Sequence, residues 1–429
     1  VADIRKKIFY TFMMLVVIRI GSQLPTPGVD PTYIQNFFFF FSGEAFNFFN
    51  AFTGGSFTQM SVFALSITPY ITSSIIMQLL TIAIPKLEEM QKEGEDGRKK
   101  IASITRYVTI GLSLIESIAM AVGFGRSGLI KDSAQLSTLH YVVCIIVVVA
   151  ALTAGSAVLM WLGERITEKG VGNGISIVLL INIISGMPSD FATLYSTFVA
   201  PKTPAKGVLA AVIILAILIV MVVLVCFLQD GERRIPVQYS QKVSGRRTVG
   251  GQSTNIPLKV NTAGVMPIIF ASSLMQFPVI IAQLFGKSYE WTRYLSSSYW
   301  CRVEAPKYSI GLLVYIVLLI IFAYFYTSIT FNPIEVADNL KKAGGVIPGI
   351  TPGKSTSEYL NKILNYIVFI GAVGLLIIAL IPIMCTGFFN ASVSFGGTSI
   401  IIIVGVVLET LKQIESQMCN RYYKGFLSE

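Results

Sequence analysis

"SVFALSITPYITSSIIMQLL", residues 61–80, decides the fold. These twenty residues hold no Asp, Glu, Lys or Arg, and about 20 mostly apolar residues are what an α-helix needs to cross a bilayer. Pro69 removes a helical hydrogen bond, and Ser and Thr residues stand nearby to satisfy the freed backbone. Ile67 and Ile71 are four apart and so share one helical face. The reading is a spanning helix over 61–84.

Immediately upstream, residues 44–60 read "EAFNFFNAFTGGSFTQM". The segment is aromatic, too short to span, and interrupted by Gly54-Gly55. Two readings stand open on the residues alone. One is a re-entrant segment, which membranes tolerate only where it is buried in protein or lines a cavity. The other is an external loop with an interfacial aromatic helix.

Further outward, nine more apolar windows appear: 8–24, 104–125, 139–163, 174–191, 206–229, 261–285, 308–331, 362–384 and 395–411. The 429-residue chain is 53% hydrophobic and 13% charged, against about 25% charged in soluble domains. The class expected is an all-α polytopic membrane protein. Its net charge is +10. With the N-terminus cytoplasmic, 24 Lys and Arg fall in cytoplasmic segments and 8 on the other side. Basic residues collect in cytoplasmic loops, so both termini are expected in the cytoplasm. The first apolar run follows Arg5, Lys6 and Lys7 without a cleavage site, and is read as a retained span.

Ten spans divide into two sets of five. An odd number per half inverts one half relative to the other, and such repeats place a transport path at their interface. The division is 1–191, including 44–60, and 192–429, with two long basic loops at 230–260 and 332–362. "PVQYSQKVSGRRTVGGQ" within the first loop alternates enough for a β-hairpin with Ser244-Gly245 near its tip.

Within the spans, Ile67 and Ile71 find a counterpart in Ile175 and Leu179, just after "EKGVGNG". Branched side chains at one level form a collar of the kind that gates pores by dewetting; Ile in a spanning helix equally well faces lipid. Arg19 lies near the end of its span, from which it can snorkel. Glu116 is mid-span, with Gln78 and Asn261 in or at the edge of other spans. A functional polar cluster and a structural hydrogen bond between helices are both open readings. The five cysteines have no metal or redox spacing, and His140 reads as interfacial. HExxH, P-loop and GxSxG motifs are missing from the sequence. No catalysis, cofactor or metal is expected. An ion-coupled solute transporter predicts several ionisable residues along its path and a compact polar midplane site, which the sequence lacks.

Seven stretches now carry a resemblance: "RIGSQLPTPGVD", "FTGGSFTQMSVFALSITPYITSSIIMQLL", "EGEDGRKKIASITRY", "MWLGERITEKGVGNGISI", "QSTNIPLKVNTAGVMPIIFASS", "FNPIEVADNLKKAGGVIPGI" and "FGGTSIIIIV". In this order, over nearly the whole chain, they resemble the SecY family, channel subunits of the bacterial translocon. The resemblance implies ten transmembrane helices in two inverted five-helix halves around a central pore with a re-entrant plug. It implies a passive, gated path for unfolded preproteins, with lateral release of apolar segments into the lipid bilayer of the bacterial inner membrane. The implied pore ring is Ile67, Ile71, Ile175, Leu179, Ile269 and Ile402. The implied plug is centred on Phe52, Thr53, Gly54 and Gly55, which favours the re-entrant reading of 44–60. Gln78, Glu116 and Asn261 are implied at the lateral gate. Implied partners are SecE, SecG, the motor ATPase SecA, the ribosome and signal sequences, with no nucleic acid beyond ribosomal contact. Docking falls to the basic loops through Arg246, Arg247, Lys341, Lys342 and Lys354. One departure stands out. Thr351 occupies a position where the family usually has Arg, and Lys354 nearby is a point charge without the arginine fork.

Overall fold

The computed structural model describes residues 2–30, 32, 53–125, 130, 137–200, 204–239, 242–244, 247–249, 253–284, 290–296, 300–301, 306–389 and 397–424. Helix α1 covers Ala2–Gly21. Helices α2 (Thr68–Ala83) and α3 (Pro85–Lys92) meet at a sharp corner, bent by 103°. Pro85 causes the corner, because the residue before a proline is driven to extended backbone, and Ile84 has φ −111° and ψ 111°. Then come α4 (Glu95–Phe124), α5 (Thr138–Lys169), α6 (Gly174–Leu194) and α7 (Pro204–Asp230). The remaining helices are α8 (Met266–Leu284), α9 (Glu290–Leu295), α10 (Ile310–Thr330), α11 (Pro333–Lys342), α12 (Lys354–Phe389) and α13 (Gly397–Lys424).

Each of the ten apolar windows overlaps one of these helices. Six helical stretches among the described residues are long and apolar enough to cross a membrane. Their outer faces explain why. Phe227 and Val208 on α7, Leu313 on α10 and Ile370 on α12 are 60% or more exposed. A helix apolar all round belongs in a protein core or in lipid; α7 buries one side in a core, through Met221 and Val225, and leaves the rest of its apolar surface exposed. The chain is a multi-pass membrane protein.

The second window needs a correction. Helix α2 begins at Thr68, and residues 61–67 form turns instead of helix. Pro69 therefore sits in the first helical turn. There its missing N–H leaves no intrahelical bond broken. Its fixed φ starts this helix and does not interrupt it.

The inner faces form two large apolar clusters. One gathers α1, α2, α5, α6, α8 and α13, and so draws on both halves of the sequence. The other gathers α7, α8, α10, α12 and α13.

Strands β1 (Glu232–Tyr239), β2 (Lys242–Ser244), β3 (Arg247–Val249), β4 (Ser253–Lys259) and β5 (Gly345–Val346) occupy the two long loops. Strands β2 and β3 pair with Ser244 opposite Arg247, as the hairpin reading expected. Strand β1 pairs antiparallel with β4, Ile235 facing Ile256, and with β5, Gln238 facing Val346. Ile235 and Val237 are buried and Pro236 between them is exposed, the period-two alternation of a half-buried strand. They pack on Leu340, Leu360 and Ile363. The two loops are thus one small unit with its own core.

Candidate functional site: an apolar waist and the segment seated beside it

All six expected ring residues fall in one contiguous apolar cluster. Ile67, Leu179, Ile269 and Ile402 are between 1% and 6% exposed, and Ile71 and Ile175 are half-buried against them. They arrive from four places in the chain: the start of α2, the first turns of α6, the start of α8 and the start of α13. All six are branched and apolar. Its far side is built by Phe270, which meets Phe322 and Tyr326 edge-to-face at 5.7 and 6.1 Å between ring centroids. Such aromatic geometry adds stabilisation beyond area burial. The aromatic wall was not anticipated. The i, i+4 spacing of Phe322 and Tyr326 on α10 is its only trace in the sequence.

Of the expected plug, Phe52 and residues 44–51 lie outside the described residues. Thr53, Ser56, Phe57 and Met60 are buried, at 0–3% exposure. Residues 53–60 form a chain of tight turns, closed by Ser56 N–H to Thr53 O, Gln59 N–H to Gly55 O and Met60 N–H to Phe57 O. Phe57 and Met60 pack with Met120, Val148 and Leu152 on α4 and α5. The Gly54 carbonyl accepts from Arg19 Nη1 and from Ser185 Oγ, each at 3.3 Å. Arg19 was expected to snorkel; it is half-buried and turned towards this segment instead.

A close approach sets the neighbouring turn. A Cβ on Gly155 of α5 would stand 1.9 Å from the Val62 carbonyl oxygen. Only glycine lets α5 lie directly against residues 61–67. Asn182 on α6 donates to Ser66 Oγ at 2.9 Å.

A stripe of hydroxyls joins α2, α4 and α5. Thr105, Thr109, Ser113 and Ser117 recur every four residues on α4, all buried. Thr109 and Ser73 of α2 are hydroxyl to hydroxyl at 2.5 Å, and Ser117 and Thr153 of α5 at 2.9 Å. Ser73 also donates to the Thr105 carbonyl at 3.5 Å. This register of antiparallel α2 and α4 puts Gln78 about 20 Å from Glu116 along the pair, at 1.5 Å per residue. Gln78 and Glu116 are therefore two points along an interface, not one cluster. Asn261 lies at the start of the turn into α8, beside Gly371 of α12. Gln78 Oε1 and Asn261 Nδ2 are buried with no hydrogen-bond partner among the described residues.

Of the basic loop residues, Lys341 and Lys342 close α11 and are exposed, where cations suit the negative helix end. Lys354 opens α12 and is exposed. Arg247 lies on β3, and Arg246 is outside the described residues. Thr351 is exposed, and its carbonyl accepts from Thr356 Oγ1 at 3.0 Å.

A family model described as SecY matches residues 61–411. A protein translocase subunit SecY from Streptomyces galbus is 44% identical, covering 99% of this chain and 97% of that protein. One from Halalkalibacterium halodurans is 44% identical over 100% and 97%. Among solved structures, one described as a protein conducting channel superposes with TM-score 0.62 at 18% identity, covering 97% of this chain and 93% of that one. Sec61 from the canine ribosome-channel complex superposes with TM-score 0.61 at 16% identity, with the same coverage.

Proposed function

Because this chain belongs to the SecY family, we propose that it is the pore subunit of a bacterial protein-export channel. It passes unfolded secretory polypeptides across the cytoplasmic membrane and releases apolar segments sideways into lipid. The observation that carries this reading is the waist. Six branched apolar side chains from four segments of the chain converge inside the bundle, with no charge among them. A constriction of this kind excludes water and ions by dewetting. Branched side chains on separate helices give way to an extended peptide and close behind it.

The reading includes ten crossings in two inverted halves, 1–191 and 192–429, with both termini cytoplasmic. Ile67, Ile71, Ile175, Leu179, Ile269 and Ile402 form the ring. The segment 44–60 is the plug. Gln78, Glu116 and Asn261 line the lateral gate at separate levels. Gln78 Oε1 and Asn261 Nδ2, buried without a partner among the described residues, fit that role, since an unpaired polar atom raises the energy of the closed interface and eases its opening. A signal helix opens the gate only by binding the open state better than the closed one.

The channel is passive and has no catalysis of its own. Its energy comes from the motor ATPase SecA or from a ribosome, docked on the sheet-bearing loops through Arg246, Arg247, Lys341, Lys342 and Lys354. SecE and SecG complete the complex.

Proteoliposomes holding the assembled translocon test this directly. With motor ATPase and ATP, a secretory precursor is expected to become protected from external protease. Flux of a small solute, or a chemical product, without precursor entry contradicts the proposal.

A further inference from the structure

Residues 53–60 are held at two ends of different character. At the rear, Thr26 N–H donates to the Met60 carbonyl and Val62 N–H to the Leu24 carbonyl, both at 2.9 Å. Met60 there has φ +45°, a left-handed value that costs a side-chain-bearing residue energy. This end is a hinge tied into the backbone of 24–26. At the front, Gly54 rests on α6. Its φ is +65°, and a Cβ would stand 2.9 Å from Asn182 Cα, 2.9 Å from Ser185 Oγ and 3.0 Å from Arg19 Nη1. The turn bonds between these ends are local, and Phe57 between them packs on Met120, Val148 and Leu152, so leaving the seat costs that apolar burial as well as the front contact.

The front contact is a charge-assisted hydrogen bond, Arg19 Nη1 to Gly54 O at 3.3 Å. No described carboxylate pairs with Arg19. The Ser185 hydroxyl proton is shared, since its oxygen lies 2.7 Å from the Asn182 carbonyl and 3.3 Å from that of Gly54. Arg19 is thus the stronger donor, and ionised donors make the stronger bonds.

We propose that Arg19 is a positioning residue, a latch that keeps the plug segment seated by holding the Gly54 carbonyl between α1 and α6. This rests on the channel reading above. An entering chain that displaces the segment breaks that bond and lets it swing on its hinge at 60–62. The strength of the latch then sets how often the channel opens with no substrate present.

The test is resting halide leak from proteoliposomes containing the full translocon, with four variants compared. Arg19→Gln is expected to raise the leak about tenfold, which corresponds to about 1.4 kcal/mol lost from the closed state. Arg19→Lys is expected to recover most of the seal, because it restores an ionised donor. Ser185→Ala is expected to give a smaller rise. The double variant Ile71→Asn with Ile402→Asn reports on the waist alone. Arg19→Gln with unchanged leak, while the double variant leaks, overturns the latch and leaves the channel reading standing. Arg19→Lys leaking as much as Arg19→Gln overturns it too, since packing and not charge would then hold the seal. If Arg19→Gln fails to assemble, an unchanged leak in Ser185→Ala overturns the shared seat. No leak in the double variant, together with no precursor entry, sinks the channel reading itself.

Discussion

The side-chain amide of Asn182 donates to the hydroxyl of Ser66 at 2.9 Å, and the two residues are 3% and 1% exposed. Ser66 has φ +54°. The bond ties α6 to the turn that launches α2, and so holds Ile67, the next residue, in the same apolar cluster as Leu179, three residues before Asn182. Two waist residues from distant parts of the chain are registered by one buried polar contact.

Asn182→Leu removes that donor at similar volume. A loss of about 1 kcal/mol is expected, in the range of hydrogen bonds between membrane helices. It is read as a lower thermal unfolding midpoint in detergent. An unchanged midpoint means the contact does not hold the turn.

The Ser73–Thr109 contact predicts energetic coupling between α2 and α4. A double-mutant cycle of Ser73→Ala and Thr109→Val is expected to give about 0.6 kcal/mol, and at most about 1.7 kcal/mol. Strict additivity would remove the hydroxyl stripe as a link between these helices.

Gly155 and Gly111 predict opposite outcomes for the same substitution. Gly155→Ala puts a methyl 1.9 Å from the Val62 oxygen, whereas nothing lies within 4 Å of a Cβ on Gly111. Overpacking costs typically 1–3 kcal/mol, about the loss expected at 155. Alanine favours a helix over glycine by about 0.5–1 kcal/mol, so Gly111→Ala should be neutral or stabilising. Unfolding midpoints of the two variants decide it.

Lys341 and Lys342 predict a salt-dependent docking defect. Glu at both positions is expected to weaken motor ATPase binding at low ionic strength. The difference should fade towards 1 M salt, where the Debye length is about 3 Å. Equal binding at low salt would move the docking surface elsewhere.

The long apolar helices were legible because lipid demands such runs: each window overlaps a helix, and six described stretches are long and apolar enough to cross a membrane. The start of α2 was not legible: Pro69 reads equally as an interior break or as a first-turn residue, and contacts of 61–67 with Gly155 and Asn182 decide between them. Ile67 and Ile71 revealed a shared face but not which way it points. That depends on which elements pack against it, here α6, α8 and α13 in one apolar cluster, which two positions on one helix do not carry. Arg19 was misjudged because its partner, the Gly54 carbonyl, is 35 residues away and is a backbone atom with no signature. The union of the two loops escaped notice because β5 is only two residues long.

Cysteine crosslinking at position 71 tests the waist most directly. A translocating chain is stalled across the membrane in Ile71→Cys protein, with Phe227→Cys, 75% exposed on the outer face of α7, as comparison. The channel account predicts that the stalled chain crosslinks to position 71 and not to 227, and that the crosslink disappears without the chain. Crosslinking at 227 but not at 71 would contradict it.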